Sequence, residues 1–173
     1  GKTNITGLPF SEPQQIDLAA TLAILLPTNA SGIIDSQYIK ILNPDRKKRF
    51  QFIKPFLSQD IQVRDAAFES LYDAENRGVE PWVVDAVRYL NHPLRAKEST
   101  HYITQSLELL EEIQKTGDIF FPRQFITAVL SGHQSPTAAH YVKKFLQEHP
   151  HFPYRLKNKV LMASDLLFAT QQP

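Results

Sequence analysis

Residues 100–117, THYITQSLELLEEIQKTG, form the longest amphipathic run of the chain and decide its fold. Every third or fourth side chain in this run falls on the same side of a helix. The predicted buried stripe comprises Ile103, Ser106, Leu107, Leu110 and Ile113. Gly117 follows this stripe, and glycine is common just past the end of a helix. The run therefore predicts an amphipathic helix with one buried face and one acidic, solvated face.

Helical spacing continues on both sides of this run, and no segment sustains the alternation of period two that marks a strand. Capping residues followed by proline predict helix starts at Ser11, Asn43 and Ser135. Further helices are predicted from Pro81, from Pro122, and after Pro153 to the end of the chain. The predicted buried positions are Val83, Ala86, Val87, Leu90, Phe125, Ile126, Val129, Leu130, Ala138, Val142, Phe145, Leu146, Leu156, Val160, Ala163 and Leu167. The chain is thus predicted to be all-α.

Three details concern the first half of the chain. The first helix is predicted to bury a stripe of Leu18, Leu22 and Leu25 and to stop at Pro27, with a loop over 28–34 and a short helix over 35–42. The helix from Asn43 is predicted to bury Phe50, Ile53, Phe56 and Leu57, with Pro55 kinking or ending it. The next helix is predicted to bury Val63, Ala67, Leu71 and Ala74.

The predicted helices fall into consecutive antiparallel pairs. The pairs are 44–57 with 60–74, 81–91 with 100–116, and 122–131 with 136–148. Their starts lie about 40 residues apart, a period typical of HEAT and armadillo repeats. We therefore predict a HEAT/armadillo-like α-solenoid over 43–173, preceded by a helical cap and loop over 1–42, as one continuous domain.

Composition excludes several classes of function. Lys and Arg number 19 against 18 Asp and Glu, so no global charge favours nucleic acid as a partner. There is no cysteine for a disulfide, a thiolate nucleophile or a cysteine-based metal site. The longest apolar run, 22–26, is far shorter than the roughly 18 residues of a spanning helix, so no membrane segment is expected. No compartment is predicted.

The sequence lacks the motifs of the common active sites. It contains no H-E-x-x-H zinc motif, no G-x-S-x-G nucleophile elbow and no glycine-rich phosphate loop. The nearest histidine pairs are His149 with His151 and His133 with His140, and neither is completed by a nearby carboxylate. We therefore expect no metal site and no catalytic residue, and interpret these histidines as surface or capping side chains.

Two charged runs have a simple interpretation. Residues 46–49, RKKR, lie in the first turns of a predicted helix, where a basic run is more often a solvated face than a phosphate-binding patch. Glu108, Glu111 and Glu112 lie on the polar side of the long amphipathic helix. We interpret these carboxylates as solvated rather than as an acid/base pair.

From about residue 43 onward the chain resembles the C-terminal helical domain of aminopeptidase N-type zinc metallopeptidases, the gluzincin family. The resemblance covers roughly three quarters of the chain. It rests on NPDR at 43–46, RF at 49–50, VRDAAF at 63–68, EPWV at 80–83, HPLR at 92–95, LELLEEIQ at 107–114, TGDIFFP at 116–122 and KVL at 159–161. The catalytic motifs of the family lie in an upstream domain, so no zinc ligand is transferred to this chain.

The resemblance implies a domain that closes over a catalytic domain, restricts access to peptides and contacts their carboxyl-terminal side. Arg95 and Arg123 are the candidate contacts to a peptide carboxylate. The implied partners are the upstream catalytic domain of the same protein and a peptide substrate. No cofactor is expected in this chain, while zinc is implied for the parent enzyme.

The sequence thus favours a non-catalytic accessory domain of a zinc metallo-aminopeptidase, and Gly1 in place of Met is consistent with a piece of a longer protein. The leading alternative is a free-standing HEAT-like module that binds a peptide or protein. A helical enzyme with an unfamiliar site is a third possibility, and it would require a pocket with perturbed titrating groups.

Overall fold

All regular secondary structure in the described part of the chain is helical. The computed structural model describes residues 10–171, and within that range there is no strand. The all-α prediction is therefore confirmed, while the solenoid arrangement stays a prediction. The chain divides into two compact units, Gly1–Ala67 and Phe68–Pro173. The predicted boundary after residue 42 falls inside the first of these units.

The described residues of the first unit form three complete helices. They are α1 Glu12–Leu25, α2 Ala30–Lys40 and α3 Pro44–Ile53. A fourth helix, α4 Ile61–Glu69, contains the division between the units. Helix α2 packs against α1 and α3, and a 3₁₀ turn at Lys54–Leu57 packs against α1 and α3.

Two helix starts in this unit, those of α1 and α3, are set by local capping, as the sequence predicts. The side-chain oxygen of Gln14 accepts hydrogen bonds from both the backbone N and the hydroxyl of Ser11, at 2.9 Å each. Oδ1 of Asn43 accepts from the backbone N–H groups of Asp45 and Arg46, at 3.0 Å each. Helix α3 ends two residues before Pro55, because proline cannot donate the next hydrogen bond of an α-helix.

The predicted leucine stripe of α1 is wrong. Leu18 and Leu25 are 38% and 50% exposed. The buried face instead comprises Ile16, Ala19, Ala20, Ala23 and Ile24. Both stripes have helical spacing, so periodicity alone does not determine which one is buried. The small alanines allow α2 to approach α1 closely, and this packing determines the buried face.

The predicted loop over 28–34 is also wrong. A 3₁₀ turn at Pro27–Asn29 leads directly into α2, which begins at Ala30. Gly32 lies within this helix, and the position has open space around it. Ala30 and Ile34 are buried on the face of α2, and this packing compensates for the weak helix propensity of the segment.

The predicted stripe of α4 is only partly correct. Ala67 and Leu71 are buried, but Val63 is 41% exposed and Ala74 is exposed. Helix α4 ends at Glu69, and two 3₁₀ turns follow, at Ser70–Tyr72 and Ala74–Arg77. The change from 3.6 to about 3 residues per turn shifts the register of the buried positions.

The second unit is built around one apolar helix. Its helices are α5 Glu80–Leu90, α6 Ala96–Ser99, α7 Tyr102–Thr116, α8 Phe121–Leu130, α9 Pro136–Glu148 and α10 Tyr154–Ala169. Helix α8 packs against α5, α7 and α10, and α9 packs against α7 and α10. The predicted stripes of α5, α7 and α8 are all buried. In α9 and α10 the exceptions are Leu146 and Ala163, which are half-buried.

No single helix within residues 10–171 has the length and hydrophobicity to cross a bilayer. By length and composition alone, only the segments Glu12–Leu25 and Pro27–Lys40 taken together reach the threshold, and they are bent by 119° relative to each other.

Candidate functional site: a cationic groove

A groove in the second unit lies where α7 ends and where α8 and α10 begin. Its volume is about 840 Å³, within the range of ligand-binding clefts. It is lined by Gln114, Ile119, Phe120, Arg123, Pro153, Tyr154, Arg155, Leu156, Asn158 and Lys159. We call this feature the cationic groove.

Positive charge dominates the cationic groove. Arg123, Arg155 and Lys159 line it, and no Asp or Glu stands among the described residues of its wall. Helices α8 and α10 both begin at the groove; the carboxylate of Asp118 accepts from the backbone N of Phe120 at the start of α8, whereas α10 has no side-chain cap. The N-terminus of a helix carries a partial positive charge, which adds to that of the three side chains. The groove is therefore suited to an anion.

Lys159 is held in place within the groove. Its Nζ donates to Oε1 of Gln114 at 2.8 Å and to the backbone oxygen of Ile119 at 3.4 Å. Burial lowers the pKa of Lys159 below the ordinary lysine value, and the neighbouring charge of Arg155 lowers it further. An anion bound beside this ammonium would offset both effects, so the site is electrostatically complementary to a carboxylate or phosphate.

The rim of the cationic groove is apolar. Ile119 and Phe120 are each 67% exposed, and Tyr154 is 76% exposed. The turn that carries the first two is ordered by Asp118, whose Oδ1 accepts from the backbone N of Phe120 at 2.9 Å. The backbone N of Asp118 in turn donates to Oε1 of Glu80 at 2.6 Å. An anionic ligand with an apolar side chain would therefore meet both kinds of surface.

Only one of the two arginines that the sequence predicts as carboxylate contacts lines the cationic groove. Arg123 lies in the cationic groove, on the first turn of α8. Arg95 is only 5% exposed, in the 3₁₀ turn Pro93–Arg95, and is not part of the groove wall. Arg155 and Lys159 were not selected, although their spacing of four residues on a helix places them on one face. Contact of Arg95 or Arg123 with a carboxylate stays a prediction.

A second hollow, of about 570 Å³, lies in the first unit. Its wall includes Ile34, Pro55 and Val63, and at one side Nζ of Lys54 lies 2.7 Å from Oδ1 of Asp35. This ion pair neutralises two charges, and the remaining charged residue of the wall, Asp60, accepts from the backbone N of Gln62 at the start of α4. The hollow gives less chemical indication of a ligand than the cationic groove.

The basic run 46–49 does not form an open phosphate-binding patch. Arg46 pairs with Glu12 at 3.1 Å, and Arg49 pairs with Asp17 at 3.5 Å. Lys47 lies over the ring of Tyr38, 4.7 Å from its centroid. These contacts link α3 to α1 and α2, so three of the four charges serve helix packing rather than standing free in solvent.

Two of the singled-out histidines have defined structural roles. The ring of His149 stacks on Phe145, and its Nδ1 donates to the backbone oxygen of that residue at 2.9 Å, which caps α9 as predicted. His133 is instead buried, which corrects its interpretation as a surface or capping residue. Over residues 10–171 no group of three or more His, Asp or Glu side chains is arranged to hold a metal ion.

One of the three acidic residues on α7 has a buried partner. The guanidinium of Arg77, 3% exposed, donates to Oε2 of Glu112, to the backbone oxygen of Leu71 and to Oγ1 of Thr116. Glu112 thus anchors the turn before α5 to α7, rather than being only solvated. Glu108 and Glu111 are exposed, in agreement with the sequence interpretation.

No family model, no curated protein and no solved structure matches this chain. The resemblance to the gluzincin helical domain therefore stays a prediction. The cationic groove is identified by its geometry and charge alone.

Proposed function

We propose that this chain is the non-catalytic helical domain of a zinc metallo-aminopeptidase, and that it receives the carboxyl-terminal side of a peptide whose amino terminus reacts elsewhere. The observation that carries the proposal is the cationic groove. It places Arg123, Arg155 and Lys159 around a cleft with no carboxylate among the described residues of its wall.

The chemistry of peptide hydrolysis supports assigning bond cleavage to another domain and peptide binding to this chain. An aminopeptidase removes the first residue of its substrate, so the rest of the peptide extends away from the reacting bond and ends in a carboxylate. A preformed cationic cleft holds such an end without taking part in bond cleavage, and it contributes to binding and orientation. In such an enzyme, zinc held by another domain would supply the activated water, and no residue of this chain is assigned to hold it.

The proposal assigns no zinc ligand to this chain. His133 is buried against Asn91, and His149 is stacked on Phe145. The sequence has no H-E-x-x-H motif to provide two histidines one helical turn apart. The proposal therefore places zinc on another domain and gives this chain the tasks of binding and of limiting access.

The test uses the chain alone with added zinc. We expect no release of the reporter group from aminoacyl reporter substrates at any zinc concentration. A control with zinc and no protein corrects for spontaneous hydrolysis. Zinc-dependent turnover by this chain would overturn the proposal, because the chain would then possess a catalytic site of its own.

A further inference from the structure

We infer that the solvent-facing side of α10 associates with the same side of a second copy of this chain, with the two helices antiparallel. We call this side the α10 face and define it by Lys157, Leu161, Met162, Asp165 and Leu166. None of these residues lines the cationic groove, so association through them is independent of the proposed function. Two features support it, an exposed apolar surface and a symmetric placement of charges.

The α10 face exposes apolar side chains in a way that the neighbouring helices do not. Among the described α-helices of the second unit, only α10 has large apolar side chains that are exposed. Leu161, Met162 and Leu166 are 37%, 55% and 67% exposed. The spacing of four residues from Met162 to Leu166 and from Leu161 to Asp165 gives two rows side by side on the helix. Covering these rows would remove apolar surface from water, which favours association.

The charges of the α10 face are symmetric about Leu161. Lys157 lies four residues before it and Asp165 four residues after it, so the three side chains lie in one row. Neither charged residue forms an ion pair within residues 10–171. In an antiparallel pair centred on Leu161, Lys157 of each copy lies opposite Asp165 of the other. A parallel pair would bring like charges together, which is unfavourable.

This placement of charge favours a second copy over other occupants. A bilayer would accept Met162 and Leu166, but an anionic lipid surface would repel Asp165, which lies between them on the same side of the helix. Two-fold symmetry lets one row of Lys157, Leu161 and Asp165 provide both halves of the interface, because each residue meets its complement in the other copy. No second, separately matched surface is needed.

The α10 face is small, so we expect a weak dimer. Helix α10 has 16 residues and is about 24 Å long. A stable interface buries about 800 Å² on each partner, which is more than one side of a single helix of this length provides. We therefore expect a dissociation constant on the order of 0.1 mM.

The test is sedimentation velocity of this chain between about 10 µM and about 1 mM, a range that brackets the expected constant. We expect the weight-average sedimentation coefficient to rise from the monomer value toward that of a dimer and no further, since two-fold association is closed. Met162→Gln and Leu166→Gln should each weaken association at least about tenfold. Leu94→Gln is the matched control, because Leu94 is 61% exposed and lies outside α10.

Reversal of charge tests the antiparallel arrangement. Asp165→Lys and Lys157→Glu should each weaken association about tenfold, because each substitution places like charges opposite one another at both symmetry-related contacts. The double variant restores opposite charges and should recover most of the loss. Lys97→Glu, at an exposed position on α6, controls for the change in net charge. Thermal unfolding of each variant shows that it is folded.

Four outcomes would overturn the inference. They are a monomer at every concentration, unchanged association of Leu166→Gln, a double variant no better than Asp165→Lys alone, and growth beyond a dimer. Cosedimentation with phosphatidylglycerol vesicles that is lost in Leu166→Gln would assign the α10 face to a membrane and would also overturn it. The proposed function fails on a different result, zinc-dependent turnover by this chain, so the two failures are distinguishable.

Discussion

Nε2 of His133 lies 2.9 Å from Oδ1 of Asn91, and both side chains are buried. Because Nδ2 of Asn91 donates to the backbone oxygen of Val87, its Oδ1 is the acceptor and Nε2 of His133 carries the proton. Nδ1 of His133 is buried without a hydrogen-bond partner. This pair connects the end of α5 to the turn after α8, and burial of the ring favours the neutral form of the imidazole.

Stability should therefore fall as the pH decreases from about 6.5 to about 4. Burial lowers the pKa of His133 to about 4, from 6.5. Between these values the unfolded chain binds a proton that the folded chain does not, so acid favours unfolding. The full effect, reached below the folded pKa, is roughly 3 kcal/mol.

Urea unfolding of the wild type and of His133→Gln between pH 4 and pH 7.5 measures this effect. We expect the variant to be less stable at pH 7.5 but to lose less stability on acidification, so that the two curves converge. His151→Gln, which changes an exposed ring, should follow the wild-type slope. Parallel curves for the wild type and His133→Gln would contradict the role of the buried imidazole.

Gly132 should be the least replaceable glycine among the described residues. A Cβ added there would lie 1.7 Å from the backbone oxygen of Asn91, which neither backbone can accommodate without moving. We expect Gly132→Ala to destabilise the second unit by about 3 kcal/mol. Gly32→Ala is the matched control, because that helical position is open, and we expect it to stabilise by about 0.5–1 kcal/mol. Thermal unfolding that ranks the two variants in the opposite order would show the close approach to be wrong.

Glu112 should contribute more to stability than its neighbour Glu111. Replacing Glu112 with Gln leaves the buried guanidinium of Arg77 without its ionic partner, and we expect a loss of about 2 kcal/mol. Glu111 is exposed, so Glu111→Gln should change the free energy of unfolding by less than about 0.5 kcal/mol. Both substitutions remove one negative charge from α7. Equal losses in the free energy of unfolding, measured with urea, would therefore contradict a specific contribution of the contact between Glu112 and Arg77.

The sequence predicts the buried face of a helix correctly where apolar residues lie on one side of that helix and polar residues on the other. In α5, α7 and α8 the apolar residues form one stripe bounded by polar residues, and these stripes are buried as predicted. In α1 every residue from Leu18 to Leu25 except Thr21 is apolar, so several faces had helical spacing and only tertiary packing could select one. In α4 the buried positions include Arg64, whose Nη1 donates to backbone oxygens of Ser58 and Gln59, a role that hydrophobic spacing does not reveal.

The cationic groove was only partly accessible from the sequence. Arg123 was selected because it lies at a helix start, and it lines the groove. Arg155 and Lys159 lie one helical turn apart on α10, but nothing local indicates that this turn meets the end of α7 about 40 residues earlier. Arg95 is the opposite case: it is predicted as a carboxylate contact from its position after Pro93, and that position does not reveal that its side chain is buried.

We propose that hydrolysis belongs to a zinc site outside this chain. The most direct test of this proposal compares the full-length product of the gene with this chain alone on aminoacyl reporter substrates, before and after treatment with a chelator and re-addition of zinc. We predict that the full-length protein turns over substrate, that the chelator abolishes and zinc restores this activity, and that the chain alone stays inert. An inert full-length protein would contradict the account and favour a free-standing peptide-binding module, and activity of the chain alone would contradict it outright.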